Sequence, residues 1–528
     1  MSPLANLPPI LCPETLTLAI VFIFFIYNIT KDRKKNRKVK PFPLPPGPKP
    51  WPMIGCLLDM VTNKPAFKWI HGYMAKINSE IACFRIGNVH VVSITSPELA
   101  CEIVKKLDVV FCSRPRCLSA DVISSGYMFA AYAPMGDHWK KMRRIITSSE
   151  LFVHKKSAFL HQKFIEEADH IIRYVYNYQC NNPNKPINVR NLARNYAANM
   201  MRNMIFNKRY FGAGGECGGA GLEEDEHVAS LFELHENVYT FSISEYMPCL
   251  SFLDFSGHQR NIMEALEVVR KYHDPEIDLR VNMWKHGLKQ VHEDILDSLI
   301  NFKYEDGKPI LSPKEIKAQI LDFMLAAIDN TSNAFEWALA EMINQPETLA
   351  RATEEIDSVV GRDKLVQEFD LEKLNYLKSC AREAFRLHPF AAFNVPHESL
   401  SDAVVGGYFI PKGSRILLSR VGLGRNERVW TEPLRFKPER HFKSDDAQVF
   451  LNDPELRLWS FGTGRRGCLA VPLGSDMTYM LFARLLQGFT WSPPLNEQAI
   501  DLSETEFGLR LAKPLLAVPK PRLVANVY

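Results

Sequence analysis

The segment WSFGTGRRGCLAVPLG, residues 459–474, holds a cysteine in a setting that suits a metal ligand. Within it, Phe461, Gly464, Arg466 and Cys468 have the spacing F-x-x-G-x-R-x-C. Two glycines before the cysteine allow the backbone to turn tightly and to approach a flat ligand. A helix is predicted to begin just after the cysteine, and a helix N-terminus and neighbouring arginines both lower the pKa of a thiol. The segment therefore predicts a thiolate, which is a suitable axial ligand for haem iron.

A second unusual pattern is the run of five polar residues at 329–333, within an otherwise apolar helical stretch. The stretch has a clear start, because Ser312, Pro313 and Glu315 form a capping box with proline at the first helical position. Pro346 is expected to end it. The helix would be about 50 Å long and would cross a whole domain. Burial of the polar run is costly without partners. The run is therefore interpreted either as a polar notch at a buried reaction site or as an exposed turn.

Three other motifs accompany these two patterns, and all of them stand in the order found in the cytochrome P450 family of haem-thiolate monooxygenases. The chain resembles this family over roughly residues 41–528. The other motifs are WKKMR at 139–143, REAFR at 382–386 and FKPERH at 436–441. Each match alone is weakly specific, but the set is highly specific. The resemblance implies a mainly α fold with small β-sheets, the cytochrome P450 fold with an N-terminal membrane anchor.

The resemblance also implies roles for particular residues. The implied contacts of haem b are Trp139, Arg143, Phe461, Gly464, Arg466 and Cys468. Cys468 is the expected ligand of the iron, and Trp139 and Arg143 are expected to hold a haem propionate. Three further residues, Glu383, Arg386 and Arg440, are expected to form a buried network that holds the cysteine segment. Glu383 and Arg386 can pair because positions i and i+3 share one face of a helix.

For the central helix, the resemblance implies an acid–alcohol pair beside the haem, with Asp329 as the acid. The alcohol position is Asn330 in this chain, and Thr331 follows it. An asparagine can donate a hydrogen bond, but it cannot relay a proton through a hydroxyl group. We therefore hypothesise catalytic roles for Asp329, Asn330 and Thr331 in a modified proton-delivery path that includes ordered water.

Several shorter segments resemble one branch of the family, the plant amino-acid N-monooxygenases that form aldoximes. They are AAIDNTSN, FNVPH, GLGRN, TGRRGC and LLQGFTW. The chain departs from the usual pattern at Ala470, where the family commonly has glycine. The branch implies NADPH- and O2-dependent N-hydroxylation of an L-amino acid, twice, to the aldoxime, in pathways such as glucosinolate or cyanogenic glucoside biosynthesis. Because this chain has no nucleotide-binding fingerprint, electrons are expected from a separate NADPH–cytochrome P450 reductase.

Substrate contacts are expected on two segments. By analogy with the family, the residues after RLHP approach the pocket, where Phe390 and Phe393 could accept an apolar side chain. Asn394 could bind the carboxylate or the amine of the substrate. Arg116 lies in the loop before the WKKMR motif, which is another expected wall of the pocket. The sequence leaves open which amino acid is used.

The N-terminal region predicts a membrane anchor. Residues 16–29 are strongly apolar, and the basic run KDRKKNRKVK follows at 31–40. Because basic residues stay in the cytosol, we expect a single-pass anchor in the endoplasmic reticulum membrane over 1–30, with the body cytosolic. Residues 31–52 are interpreted as a basic stop-transfer segment and proline-rich hinge, and 53–528 as the catalytic domain. The basic run accounts for the whole positive net charge of +4, so no nucleic-acid-binding face is predicted on the rest of the chain.

Three other functions stay open from the sequence. A generic plant carbon hydroxylase of a terpenoid or phenolic would have all the haem motifs. An oxygen-independent haem enzyme that rearranges peroxides is permitted by the missing threonine at position 330. A non-enzymatic haem sensor is the third alternative.

Overall fold

The computed structural model describes residues 42–148, 152, 157–254, 257–442, 447–506 and 508–528. The predicted anchor at 1–30 and the basic run at 31–40 lie outside the described residues. Within the described ranges, no helix combines the length and the apolar character needed to cross a membrane.

Helices make up most of the described chain, as the resemblance implied. In chain order they are α1 (Leu57–Thr62), α2 (Ala66–Lys76), α3 (Pro97–Cys101), α4 (Asp108–Phe111), α5 (Leu118–Ile123), α6 (Asp137–Ser148), α7 (Ala158–Asn181), α8 (Val189–Phe206), α9 (Leu222–Asn237), α10 (Ile243–Tyr246), α11 (His258–Lys285), α12 (Ile295–Ile300), α13 (Pro313–Asn344), α14 (Pro346–Val359), α15 (Asn375–Leu387), α16 (Arg420–Gly424) and α17 (Val471–Gly488).

The strands are short and form small sheets. They are β1 (Ile81–Ile86), β2 (Val89–Ile94), β3 (Ile187–Asn188), β4 (His397–Glu398), β5 (Ala403–Val405), β6 (Tyr408–Ile410), β7 (Arg415–Leu418), β8 (Phe489–Ser492) and β9 (Leu516–Pro521). The sheet orders are β1-β2-β7-β4, β3-β9-β8 and β5-β6. The segment IACFRIGNVHVVSI alternates around Gly87-Asn88, which predicts a hairpin, and β1 and β2 confirm it. The segment VVGGYFIPKGSRILL at 404–418 is also predicted to form sheet structure. It divides, because β5 and β6 form their own hairpin while β7 pairs with β2 in parallel.

The central helix α13 begins as predicted. Ser312 is the N-cap, its side chain accepts a hydrogen bond from the backbone N–H of Glu315, and Glu315 completes the capping box. The helix runs unbroken to Asn344 and packs most extensively against α8, with α9, α11, α15 and α17 around it. Most of its residues are buried within the largest hydrophobic cluster of the molecule. The polar run at its centre therefore lies in the core of the protein, which excludes the exposed turn.

The proline-rich segment is attached to the body of the protein from Pro43 onwards. The carbonyl of Pro43 accepts a hydrogen bond from the N–H of Phe409 (2.7 Å), and that of Pro46 accepts one from Cys83 (2.9 Å). Gly47 lies so close to β1 that a Cβ atom there would be 1.9 Å from the Cys83 carbonyl oxygen. These contacts tie the segment to β1 and β6, so its described part is not a free spacer.

Candidate active site

A cavity of about 830 Å³ lies between the centre of α13 and the cysteine segment. Its walls also include the end of α9, residues 390–397, residues 505–506 and residues 508–510. Of the residues that the sequence indicated for chemistry, those lining this cavity are Trp139, Arg143, Asn330, Thr331, Phe390, Phe393, Asn394, Phe461, Arg466 and Cys468. The fold therefore brings residues that are up to about 330 positions apart in the chain to a single site.

Cys468 is open to the cavity and precedes α17 by three residues. Its N–H donates to the carbonyl of Phe461 (2.9 Å), which closes the segment into a tight loop. The N–H of Ala470 lies 3.3 Å from the sulfur Sγ and donates to it. Ala470 has a negative φ of −104°, so the usual glycine is not required there.

The pKa of the Cys468 thiol differs from the sequence expectation. Burial raises this pKa, while the Ala470 N–H and the nearby Arg143 act to lower it. The neighbouring arginines do not supply the expected charge, because Arg465 pairs with Asp108 (2.6 Å) and Arg466 turns toward backbone carbonyls. A bound metal ion would favour the thiolate directly.

Gly464 lies outside the cavity lining. It has a positive φ of 74°, and a Cβ atom there would lie 2.5 Å from the Val104 carbonyl oxygen. The glycine therefore lets the loop pass close to the end of the π-helical turn Glu102–Lys106. In this structure it shapes the cysteine loop rather than facing the cavity, and Gly467 lines the cavity instead.

Three arginines gather on the wall near the cysteine. Arg466 donates to the carbonyls of Cys112 (2.6 Å) and Ala133 (2.7 Å), and its guanidinium lies 4.5 Å from the ring centroid of Trp139. Arg143 donates to the carbonyl of Gly467 (2.8 Å).

The third arginine of this cluster, Arg114, was not singled out by sequence. It donates to the carbonyls of Ala131, Val395 and Pro396 at 2.7–3.1 Å. Burial, with Arg114 and Arg143 acting in the same direction, lowers the pKa of Arg466 to about 8. Among the described residues, no carboxylate forms an ion pair with any of the three. A flat group with two carboxylates, such as haem with its propionates, fits this cluster and the open thiol.

The three residues predicted as a scaffold form a buried network. Arg386 donates from Nε and Nη2 to the two carboxylate oxygens of Glu383 (both 2.8 Å), and Arg440 donates to the same carboxylate (2.9 Å). His441 and the backbone N–H of Lys437 also bond this carboxylate. Burial acts to raise the pKa of Glu383, but the hydrogen bonds from Arg386 and His441 outweigh it and lower the pKa to about 2.

The first two polar residues of the α13 run face groups on other elements. The Asp329 carboxylate is fully buried outside the cavity lining and contacts Nδ1 of His235 on α9. The carbonyl oxygen of the Asn330 side chain accepts a hydrogen bond from Nη1 of Arg420 (3.2 Å). The expected acid and its neighbour therefore point to different partners.

The other three polar residues of the run are also paired. The hydroxyl oxygens of Thr331 and Thr478 are 3.0 Å apart, and Thr478 donates to the carbonyl of Gly474. Ser332 donates back to the helix carbonyl of Ile328 (2.6 Å). Asn333 donates to the carbonyl of His388 (2.8 Å). These contacts join the central helix to four surrounding segments, and Asn330 and Thr331 also line the cavity.

Sequence reasoning missed two polar residues of the cavity, His235 and Arg420. His235 is 21% exposed toward the cavity and packs against Phe390, with ring centroids 5.0 Å apart. Burial, with Arg420 and Arg510 acting in the same direction, lowers the pKa of His235 to about 3. Neither residue has a motif of its own, since the fold alone brings both to the site.

The four residues proposed for substrate contact are divided by the structure. Phe390, Phe393 and Asn394 line the cavity. The side-chain oxygen Oδ1 of Asn394 accepts a hydrogen bond from the backbone N–H of Leu418 (2.9 Å), and its buried side-chain nitrogen Nδ2 has no described partner. Arg116 is exposed outside the cavity and lies 5.3 Å from the centroid of the Tyr127 ring, in contrast to the expectation.

The sequence is similar to those of known proteins over nearly the whole chain. The model of the Cytochrome P450 family matches residues 45–518. The chain is 51% identical to isoleucine N-monooxygenase 1 of Lotus japonicus over 98% of this chain and 96% of that protein. It is 50% identical to tyrosine N-monooxygenase of Sorghum bicolor, over 91% of this chain and 86% of that protein. It is 49% identical to phenylalanine N-monooxygenase of Arabidopsis thaliana, over 91% of each. This chain therefore belongs to the cytochrome P450 family, and it is a haem-thiolate monooxygenase that uses O2 and NADPH-derived electrons delivered by a reductase.

Proposed function

We propose that this chain is an amino-acid N-monooxygenase that converts an L-amino acid into the corresponding aldoxime. The observation that carries the proposal is the similarity, at about half of all positions and over 91–98% of the chain, to relatives named for this activity. The cavity is consistent with such a substrate, because Phe390 and Phe393 offer apolar surface beside polar groups of α13.

The proposed reaction oxidises the α-nitrogen twice. Each hydroxylation uses one O2 and two electrons from NADPH, inserts one oxygen atom into an N–H bond and releases the other as water. The N,N-dihydroxy amino acid then loses carbon dioxide and water to give the oxime. Oxygen activation is the chemistry of the haem, and the protein binds and orients the amine and controls protons.

In this proposal the cysteine loop and its arginines hold the cofactor. Cys468 would be the iron ligand, Trp139 and Arg143 would hold a propionate, and Phe461 and Arg466 would be further contacts of the haem. Their common position around one cavity supports these roles. Gly464 contributes through the shape of the loop. The buried network of Glu383, Arg386 and Arg440 holds the cysteine segment in place.

Proton supply is proposed to use the centre of α13. The side-chain nitrogen of Asn330 is a donor next to the cavity, since its oxygen is held by Arg420. The hydroxyl of Thr331 is directed to Thr478, because Thr478 already donates to Gly474. Asp329 reaches the cavity through His235, which it contacts.

The cellular setting completes the proposal. Residues 1–30 form a single-pass anchor in the endoplasmic reticulum membrane, 31–52 the basic and proline-rich connection, and 53–528 the cytosolic catalytic domain. The redox partner is the membrane-bound NADPH–cytochrome P450 reductase. The order of an apolar stretch and a basic run in the sequence supports this arrangement.

An amino-acid panel tests the function. The full chain is produced in membranes with a reductase, and thiolate ligation is checked by the carbon monoxide spectrum of the reduced protein. Each protein amino acid, and chain-elongated methionine, is then supplied with NADPH, and oximes are sought by mass spectrometry. We expect an oxime from one or a few amino acids. A correct spectrum without any oxime would overturn the proposal and favour a carbon hydroxylase.

A matched pair of cysteine variants completes this experiment. Cys468→Ser removes the proposed ligand, and Cys180→Ser removes an exposed cysteine on α7. The first variant should lose both the thiolate spectrum and the oxime, and the second should retain both.

A further inference from the structure

Arg420 is an arginine of the cavity wall that has no described counter-charge. It is the first residue of α16, directly after β7, and its backbone N–H bonds the carbonyl of Ala392 in the wall segment 390–394. Among the described residues, its side chain makes one hydrogen bond, from Nη1 to the Asn330 oxygen (3.2 Å). Its Nε is buried and has no described partner.

The other arginines of the cavity wall either have protein partners of their own or belong to the cluster beside Cys468. Arg510 pairs with Glu236. Arg415 donates to the backbone carbonyls of Arg116 and Glu245 and lies over the Tyr246 ring. Arg114, Arg143 and Arg466 form the cluster beside Cys468 that was described above.

Arg420 is separate from that cluster. The arginines of the cluster influence one another, as the pKa of Arg466 shows, but burial is the single influence that lowers the pKa of Arg420, to about 10. No described carboxylate compensates this burial. A buried cation without a counter-ion is costly unless a ligand supplies the negative charge. The position beside Asn330 and residues 390–394 places this unmet charge where a substrate would lie.

We propose that Arg420 binds the α-carboxylate of the amino-acid substrate. This inference rests on the proposed function and adds the group that recognises the substrate class. The guanidinium offers Nε–H and Nη2–H as a side-on fork, which matches the two oxygens of a carboxylate. Asn330 is then a positioning residue, because its side-chain oxygen holds Nη1 and orients the fork.

This anchor explains how one site can select amino acids as a class. The α-nitrogen is two bonds from the carboxylate carbon, so fixing the carboxylate confines the nitrogen to a small volume. The substrate side chain remains free to meet Phe390 and Phe393. Amino acids with different side chains can therefore share the anchor, while an amine or amide of the same shape lacks the charge that the fork requires.

The inference is tested without turnover, by measuring how an amino acid and its analogues bind to the haem-loaded full-length protein in membranes. The probe is the L-amino acid that gives the largest change in the haem absorbance spectrum, compared with its α-carboxamide and its decarboxylated amine. In the wild-type protein we expect the acid to bind about 10- to 100-fold more tightly than the carboxamide. In Arg420→Gln, the Kd of the acid should rise by about the same factor, and that of the carboxamide by less than about threefold.

Two further variants make the test specific. Arg428→Gln removes an exposed arginine outside the cavity, which pairs with Glu80 (2.6 Å), and it should retain the preference for the acid. Arg420→Lys retains the charge but loses the fork, and its preference should fall between those of wild type and Arg420→Gln. If Arg420→Gln does not incorporate haem, the loss of preference in Arg420→Lys decides the question.

The possible failures can be told apart. If amino acids bind and both Arg420 variants keep the full preference for the acid, the carboxylate anchor is wrong and the proposed function stands. If no amino acid alters the spectrum of a correctly loaded wild-type protein, both proposals are overturned.

Discussion

At the scale of single residues, the chemistry of this protein depends on partners that are distant in the sequence. The polar run of α13 is visible in the sequence as an anomaly, and its burial is one of the two interpretations that the sequence left open. Their partners were not predictable, because His235, Thr478 and Arg420 come from three other elements. The pKa of Cys468 is a similar case, since Arg143, not the adjacent arginines, acts on it.

Asn330 provides a residue-scale prediction. Asn330→Ala removes a donor next to the cavity and releases Arg420. We expect less oxime per NADPH consumed and a larger share of the electrons lost to hydrogen peroxide. Both products are quantified together with NADPH oxidation in reconstituted membranes. Unchanged coupling and unchanged peroxide release would exclude a role of Asn330 in proton supply.

At the scale of elements, local sequence patterns predicted where a helix or hairpin begins and ends better than they predicted which strands pair. The capping box gave the correct start of α13, and Pro346 marked its end to within two residues. The hairpin of β1 and β2 followed from Gly87-Asn88. The parallel pairing of β7 with β2 escaped prediction, because a parallel contact between segments some 320 residues apart leaves no local pattern. The cavity depends on this pairing, since β7 leads directly into Arg420.

The network on α15 supports an element-scale prediction. Glu383→Gln leaves Arg386 and Arg440 buried without their counter-charge, and we expect a loss of about 3–5 kcal/mol in stability. Thermal unfolding and the yield of haem-loaded protein measure this loss. Glu427→Gln on the exposed surface is the control and should change stability by less than about 0.5 kcal/mol.

The same carboxylate predicts a pH dependence. Its pKa is lowered from 4.5 to about 2 in the folded protein, so its stabilising contribution is complete above pH 4.5. The contribution is lost as the pH falls from 4.5 toward 2. Glu383→Gln should therefore flatten the dependence of stability on pH in this acidic range. An equally steep dependence in the variant would show that other carboxyl groups dominate.

At the scale of the whole molecule, the body and the N-terminal region meet at the proline-rich segment. The sequence predicted a proline-rich hinge in this region, but the contacts of the segment with β1 and β6 depend on the folded body. Since Pro43 and Pro46 both bond to the body, the boundary for truncation lies before residue 42. The family match, which begins at residue 45, agrees with this boundary.

Two truncations test this arrangement. Removal of residues 1–41 should release the protein from membranes washed with alkaline carbonate and preserve the thiolate spectrum. Removal of residues 1–52 also deletes the partners of Cys83 and Phe409, and the yield of haem-loaded protein should fall. If the shorter truncation stays in the carbonate-washed membranes, residues 1–30 are not the anchor.

The most direct measurement of the central claim is the fate of a doubly labelled substrate. The amino acid preferred in the panel is prepared with 15N at the α-amino group and 13C at the carboxyl carbon, and the product is analysed by mass spectrometry. The account predicts an oxime that retains 15N, together with 13C released as carbon dioxide. A hydroxylated product that keeps both labels would contradict the account, because oxidation would then have occurred at carbon.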